Sequence, residues 1–151
     1  MNYITVQVQL PLVRETERKQ SVRTAADAAQ ICADLGQLAQ ESFHVVTLNA
    51  RNRVINRHMV SLGIADASLV HPREVFRAVL AEPAAVSLIL VHNHPSGDPT
   101  PSAEDVRITK QLVEAGEIIG IKVLDHVIVG RQEEGQPGFL SLREQGLCAF
   151  K

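Results

Sequence analysis

The run Ala84-Ala85-Val86-Ser87-Leu88-Ile89-Leu90-Val91 leads directly into His92-Asn93-His94-Pro95-Ser96-Gly97-Asp98-Pro99-Thr100-Pro101-Ser102-Ala103-Glu104-Asp105. Its first part is apolar, with the length and composition of a buried strand. If the strand continues through His94, its side-chain period of two puts His92 and His94 on one face. Both rings then leave the sheet side by side at the strand's end. Pro95, Pro99 and Pro101 stiffen the loop after the strand, and Ser102 to Asp105 reads as a helix start. Asp105 can bring a third ligand to the two imidazoles from that next element. Two His, one carboxylate and one position open for water make a catalytic rather than a structural zinc arrangement.

Each half of this pattern also has a plain structural reading. An isolated H-x-H is weak evidence, because His serves as a satisfied polar residue at strand ends. Ser102-x-x-Asp105 has the spacing of a capping box, with Asp replacing the usual Glu or Gln. An acidic residue there also favours the positive end of a helix. Taken separately, the halves lean towards structure; together, across a proline-stiffened loop, they favour a site. The two roles are compatible, since a helix start fixes a ligand's direction. A zinc deaminase is excluded, because it needs H-x-E followed by P-C-x-x-C. Position 94 is His, and the cysteines are Cys32 and Cys148 alone.

The 151 residues fit one domain with a sizeable core, and 45% hydrophobic residues describe a folded, not a disordered, chain. No apolar run approaches a membrane span. The start, Met1-Asn2-Tyr3-Ile4-Thr5-Val6, lacks the basic and apolar regions of a secretory signal. Two distant cysteines form neither a disulfide framework nor a metal pair, so the cytoplasm is the expected location. A net charge of −2 predicts no strong attraction to nucleic acid. The cluster of Arg51, Arg53 and Arg57 reads first as a solvated hairpin tip and second as a phosphate contact. With no Trp, one Tyr and four Phe, material for stacking single-stranded bases is lacking.

Elsewhere, Ile4, Val6, Val8 and Leu10 alternate with polar residues as a half-buried strand, and residues 14–23 read as a charged linker. Thr24-Ala25-Ala26-Asp27 resembles a capping box, and helical spacing of apolar residues runs from Ala28 to about Gln40. Residues 43–48 and about 53–62 read as a strand pair around a turn near Arg51. His71-Pro72 opens a second helix, with Pro at a tolerated first-turn position. A third runs from about Ala103 to Ala115 or beyond. Residues 121–129 form a strand stopped by Gly130, residues 139–141 a short strand, and a brief C-terminal helix comes last. Alternating helices and strands give an α/β sandwich, with a mixed sheet because one pair is a hairpin. The strand order stays open.

His92-x-His94, seven residues, Ser102, two residues and Asp105 match the JAMM metalloprotease motif. Together with Val70-His71-Pro72-Arg73-Glu74, His92-Asn93-His94-Pro95-Ser96-Gly97 and Val123-Leu124-Asp125-His126-Val127-Ile128-Val129-Gly130, the chain resembles the bacterial RadC family over about residues 21 to 150. The resemblance implies an α/β/α sandwich around a mixed sheet, the JAB/MPN, cytidine-deaminase-like architecture. It divides the chain into residues 1–20, an N-terminal strand and charged linker, and residues 21–151, a JAB/JAMM metalloprotease-type domain. About twenty residues stand where RadC proteins carry a longer region with a helix-hairpin-helix-like segment, so nucleic-acid binding is expected to be weak or absent.

The resemblance implies Zn2+ on His92, His94 and Asp105, with a water completing the tetrahedron. Glu41, standing where the family carries a Glu before the first core strand, becomes the general base. Ser102 becomes the donor to the oxyanion of the tetrahedral intermediate. The implied activity is that of a zinc metallopeptidase or isopeptidase on a peptide or protein substrate. The alternatives are a non-catalytic interaction module of the same fold and a DNA-repair accessory protein. Asp125 and His126 match a family block, and read equally as support behind the ligands or as strand packing. The N-terminal strand needs a sheet edge to cover it, its own or a neighbour's, which allows a homodimer.

Overall fold

Thr24 starts the first helix, α1 (Ala25–Ile31), with a complete capping box: its hydroxyl accepts from Asp27 N–H, and the Asp27 carboxylate accepts from Thr24 N–H. This computed structural model describes residues 20–63 and 70–151. The expected N-terminal strand at residues 4–10, and any dimer made through it, lie outside the described residues. Helical spacing does not carry α1 to Gln40 as expected. The helix ends at Cys32, and Ala33–Gln37 continue as a tighter 3-10 helix. Leu35 still reaches the core from that segment, 1% exposed, which is why its apolar periodicity resembled an uninterrupted helix.

The strand pair is present as β1 (Ser42–Leu48) and β2 (Val54–Leu62), antiparallel. Pro72 stands at the first turn of α2 (Pro72–Leu80). The apolar run at residues 84–91 does not start as strand: Ala85 N–H is turned back onto the Glu82 carbonyl (3.0 Å). Val86 N–H is the first to bond β1, at the Leu48 carbonyl (3.0 Å), and the strand runs from Ser87. The resulting strand, β3 (Ser87–Asn93), is buried throughout. Ser102 caps α3 (Ala103–Ile119), which ends at Gly120 in the left-handed region (φ 85°). Then come β4 (Lys122–Val129) and the short β5 (Phe139–Ser141). In place of the expected C-terminal helix there are turns. Gln145 N–H closes one turn onto the Ser141 carbonyl (3.1 Å), and Gly146 leaves it with φ 65°.

The five strands lie in the order β2-β1-β3-β4-β5, with β3 central, antiparallel to β1 and parallel to β4. Apolar side chains fill both faces, as a sheet covered on two sides requires. Phe43, Val45, Leu88, Leu90 and Val123 pack with α2 and α3, whose Phe76, Ile108 and Leu112 belong to the same core. Val46, Leu48, Ile89, Val91, Val127 and Val129 pack with Ala28, Cys32 and Leu35 on the α1 side. The architecture is an α/β/α sandwich around a mixed sheet. Even-numbered residues of β3 face α3, and that parity sends His92 to the α3 side.

The ladder between β3 and β4 carries one register shift. Leu88 pairs with Val123 but Ile89 pairs with Asp125, so Leu124 is an extra residue in β4. Such a bulge reverses the facing of every later side chain. His126 therefore lies opposite Leu90, on the α3 face, while Asp125 turns to the α1 face.

The end of β4 is held close to the loop after His94. A Cβ on Gly130 would stand 2.2 Å from the Gly97 carbonyl oxygen, and Arg131 N–H donates to that same oxygen (2.8 Å). Gly130→Ala must push two backbones apart and is expected to cost about 1–3 kcal/mol. Urea denaturation checks this, and an unchanged midpoint would contradict the close approach.

Candidate metal centre

Ladder pairing places the two His. His92 is opposite Phe43 on one side and Ile128 on the other. The strand proper stops at Asn93, one residue earlier than expected, but His94 N–H still donates to the Val129 carbonyl (3.0 Å). His94 thus keeps extended spacing, and the two rings emerge together, their Nε2 atoms 3.0 Å apart. His92 is fully buried, and His94 is partly open to solvent.

Asp105 arrives from the first turn of α3, where it closes the capping box and also joins the cluster. Its N–H donates to Ser102 Oγ (3.1 Å), and its Oδ2 accepts from Ser102 N–H (2.8 Å). The same carboxylate spans both imidazoles, Oδ1 3.3 Å from His92 Nε2 and Oδ2 3.3 Å from His94 Nε2. Glu41 comes from the residue before β1, its Oε1 3.5 Å from His92 Nε2. Ligand atoms of Glu41, His92, His94 and Asp105 all lie within 4.8 Å of one another. Ser102 is exposed, and its hydroxyl, accepting from Asp105, keeps its own proton to donate.

Asn93, between the two His, was not singled out by sequence reasoning. Because side chains alternate, it points to the opposite face, where it is fully buried. Its Oδ1 accepts from Ser42 N–H (2.7 Å) and its Nδ2 donates to the Gln40 carbonyl (2.9 Å). The backbone on both sides of Glu41 is thereby fixed to β3. Asp98 contributes its backbone and not its carboxylate: its carbonyl accepts from His94 Nδ1–H (2.9 Å). A carbonyl can only accept, so a neutral His94 has its lone pair on Nε2, aimed into the cluster.

The electrostatics fit a cation. Burial opposes the charge on Asp105, but the imidazoles of His92 and His94 beside it outweigh that cost and hold the carboxyl well below the usual carboxylate range. Burial likewise opposes a charged His94, yet Asp105 and the Asp98 carbonyl keep its pKa above the ordinary value. Burial pushes His126, behind His92, well below the usual histidine range. A tetrahedral zinc with arms of about 2.0–2.1 Å needs donors about 3.3–3.4 Å apart. His92 Nε2 stands 3.0 Å from His94 Nε2 and 3.3 Å from Asp105 Oδ1, close to that spacing. The donor set, imidazole and carboxylate, also suits a divalent cation.

Of the two residues left open by the sequence, Asp125 faces away from the cluster. Its Oδ2 accepts from Ser141 Oγ (2.6 Å), and burial raises its pKa. His126 lies against His92, Nε2 to Nδ1 at 2.7 Å. Arg57, from the basic cluster, forms a two-pronged pair with Asp34 (2.6 and 2.8 Å).

An α/β/α sandwich that presents this His-His-Asp cluster at the end of its central strand defines a JAB/MPN-type domain. The chain belongs to the RadC-like JAB domain family, whose model matches residues 22–147. It is 54% identical over 118 residues to a UPF0758 protein of Caldanaerobacter subterraneus, a match covering 78% of this chain and 48% of the relative. A UPF0758 protein of a Geobacillus species is 49% identical over 126 residues, 83% of this chain and 53% of that protein. One from Bacillus cereus is 47% identical over 133 residues, 87% of this chain and 56% of that protein. The chain spans about half the length of the curated relatives it matches. Among the described residues no helix is long and apolar enough to cross a membrane.

Two outcomes test this geometry. Asn93→Ala strips the Ser42 N–H and Gln40 carbonyl of their buried partner and is expected to cost about 1–3 kcal/mol in urea denaturation; no loss would mean the clasp is idle. A divalent cation must also displace any proton on His94. With its pKa raised, His94 is protonated on the acid side of that value, so cation affinity rises as pH rises through it. Calorimetry in buffers of different ionisation enthalpy at about pH 6 should register proton release, and its absence would contradict the assignment.

Proposed function

We propose that this chain is a zinc-dependent hydrolase of the JAMM type, a metallopeptidase or isopeptidase cleaving an amide of a peptide or protein. The observation that carries the reading is the convergence of Glu41, His92, His94 and Asp105 within 4.8 Å at the mouth of the central strand. His92, His94 and Asp105 hold the ion. Zinc so bound supplies Lewis acidity that brings the pKa of a water to about 7. Glu41 takes the proton of the attacking water and passes it to the leaving amine. Its backbone is clasped by Asn93, so the carboxylate is aimed before substrate arrives. Ser102 donates its hydroxyl proton to the oxyanion that develops on the scissile carbonyl. A hydroxyl already oriented by Asp105 N–H suits that electrostatic role.

Purified without chelators, the protein is expected to carry about one zinc per chain, the stoichiometry of a single three-ligand catalytic site. His92→Ala and His94→Ala lower that occupancy, read by elemental analysis. Glu41→Gln keeps the ion and lowers hydrolysis of a peptide library by about 10²–10⁴-fold. Full zinc in a His92/His94 double variant would move the site elsewhere, and loss of zinc in Glu41→Gln would make Glu41 a ligand.

A further inference from the structure

His126 and Thr109 form a buried chain of hydrogen bonds behind His92 whose polarity is fixed from one end. Thr109, on the second turn of α3, donates its hydroxyl proton to the Asp105 carbonyl (2.6 Å). That is the hydroxyl's only proton, so the contact between Thr109 Oγ1 and His126 Nδ1 (2.5 Å) must be donated by the ring N–H. Full burial keeps His126 neutral, and the lone pair is then on Nε2. Nε2 meets His92 Nδ1 at 2.7 Å and can only accept there, so His92 carries its proton on Nδ1. The His92 lone pair is left on Nε2, facing that of His94 across 3.0 Å.

We propose that Thr109 and His126 are positioning residues that lock His92 in the tautomer able to bind a metal. The chain closes on itself. It begins at the Asp105 carbonyl and ends at His92, whose Nε2 lies 3.3 Å from the Asp105 carboxylate. One residue of α3 thus offers its side chain to the cluster and its backbone to the device that orients the partner ligand. The β4 bulge at Leu124 is what brings His126 to this face. Without the extra residue, His126 would point towards α1 and His92 Nδ1 would be buried without a partner. Two confronted lone pairs repel one another unless a cation or a proton sits between them, so the locked tautomer stores a preference for a cation. The role given to Thr109 and His126 rests on the reading of the cluster as a metal site.

Nitrogen-15 NMR of the histidine rings in the metal-free full chain tests it directly. The expected pattern is Nδ1–H on both His126 and His92. Nε2–H on His126 overturns the proposal. Thr109→Val keeps the shape and deletes the hydroxyl, and is expected to weaken zinc affinity about 10–100-fold, in line with other groups that orient metal ligands. Thr109→Ser restores the hydroxyl and the affinity. Wild-type zinc affinity in a folded Thr109→Val overturns the proposal. Should that variant not fold, the ring spectra of the unaltered chain decide alone. Failure of the unaltered protein to bind zinc would sink the hydrolase reading, while the tautomer pattern of the metal-free chain would still test this one.

Discussion

A carboxylate buried at a helix start is the constraint on which the rest of the site depends. Asp105 is 2% exposed, and an isolated charge so placed is strongly unfavourable. Ser102 N–H and the amino end of α3 stabilise it from below, and a protonated His94 faces it from the loop, while His92 Nε2 stands beside it at the end of the central strand. The arrangement works only if the strand end, the loop and the helix start are mutually fixed, which is what the three loop prolines and the Gly130–Gly97 contact accomplish. Breaking a buried charge cluster by removing one member leaves the others uncompensated. The fold around β3 and α3 is therefore as much a consequence of the cluster as its scaffold.

Local chemistry was the most legible part of the sequence. Both capping boxes, at Thr24 and Ser102, form as their spacing implies, because a cap involves only residues three apart. The pairing of His92 with His94 was legible for the same reason, a period of two on one strand. Element ends were less so. Leu35 keeps the apolar rhythm of α1 although the backbone has tightened into a 3-10 helix, and composition does not register that change of hydrogen bonding. Residues 84–86 are apolar, yet they precede the assigned strand: Ala85 N–H turns back onto the Glu82 carbonyl, and Val86 stays 45% exposed. An apolar run records burial averaged over neighbours, not where the ladder begins.

What the sequence held back was whatever depends on register between elements. Glu41 is far from His92 along the chain, and its position before a strand suggests no more than a solvated acid. Only the family pattern singled it out. Asp125 and His126 are adjacent, so ordinary alternation says they face opposite ways but not which one faces the ligands. The bulge at Leu124 decides it, and nothing local to that residue signals a bulge. Thr109 reads as one more polar position on a helix until β4 is laid against it.

The H-x-H spacing has a second use that comes from the same alternation. If residues 92 and 94 face α3, residue 93 must face α1, where a polar side chain is tolerated only if fully hydrogen-bonded. An amide has both a donor and an acceptor, and Asn93 uses each on the backbone flanking Glu41. A carboxylate at that position lacks the donor, so Asp would set an acceptor against the Gln40 carbonyl, and Ser, though its hydroxyl both donates and accepts, is too short to reach both groups. The three consecutive residues therefore fix two imidazoles on one side of the sheet and, through the neighbouring strand, the direction of an acid on the same side. A strand whose register with β1 slipped by one residue would lose all of these at once. The site thus selects the register, and the register in turn assembles the site.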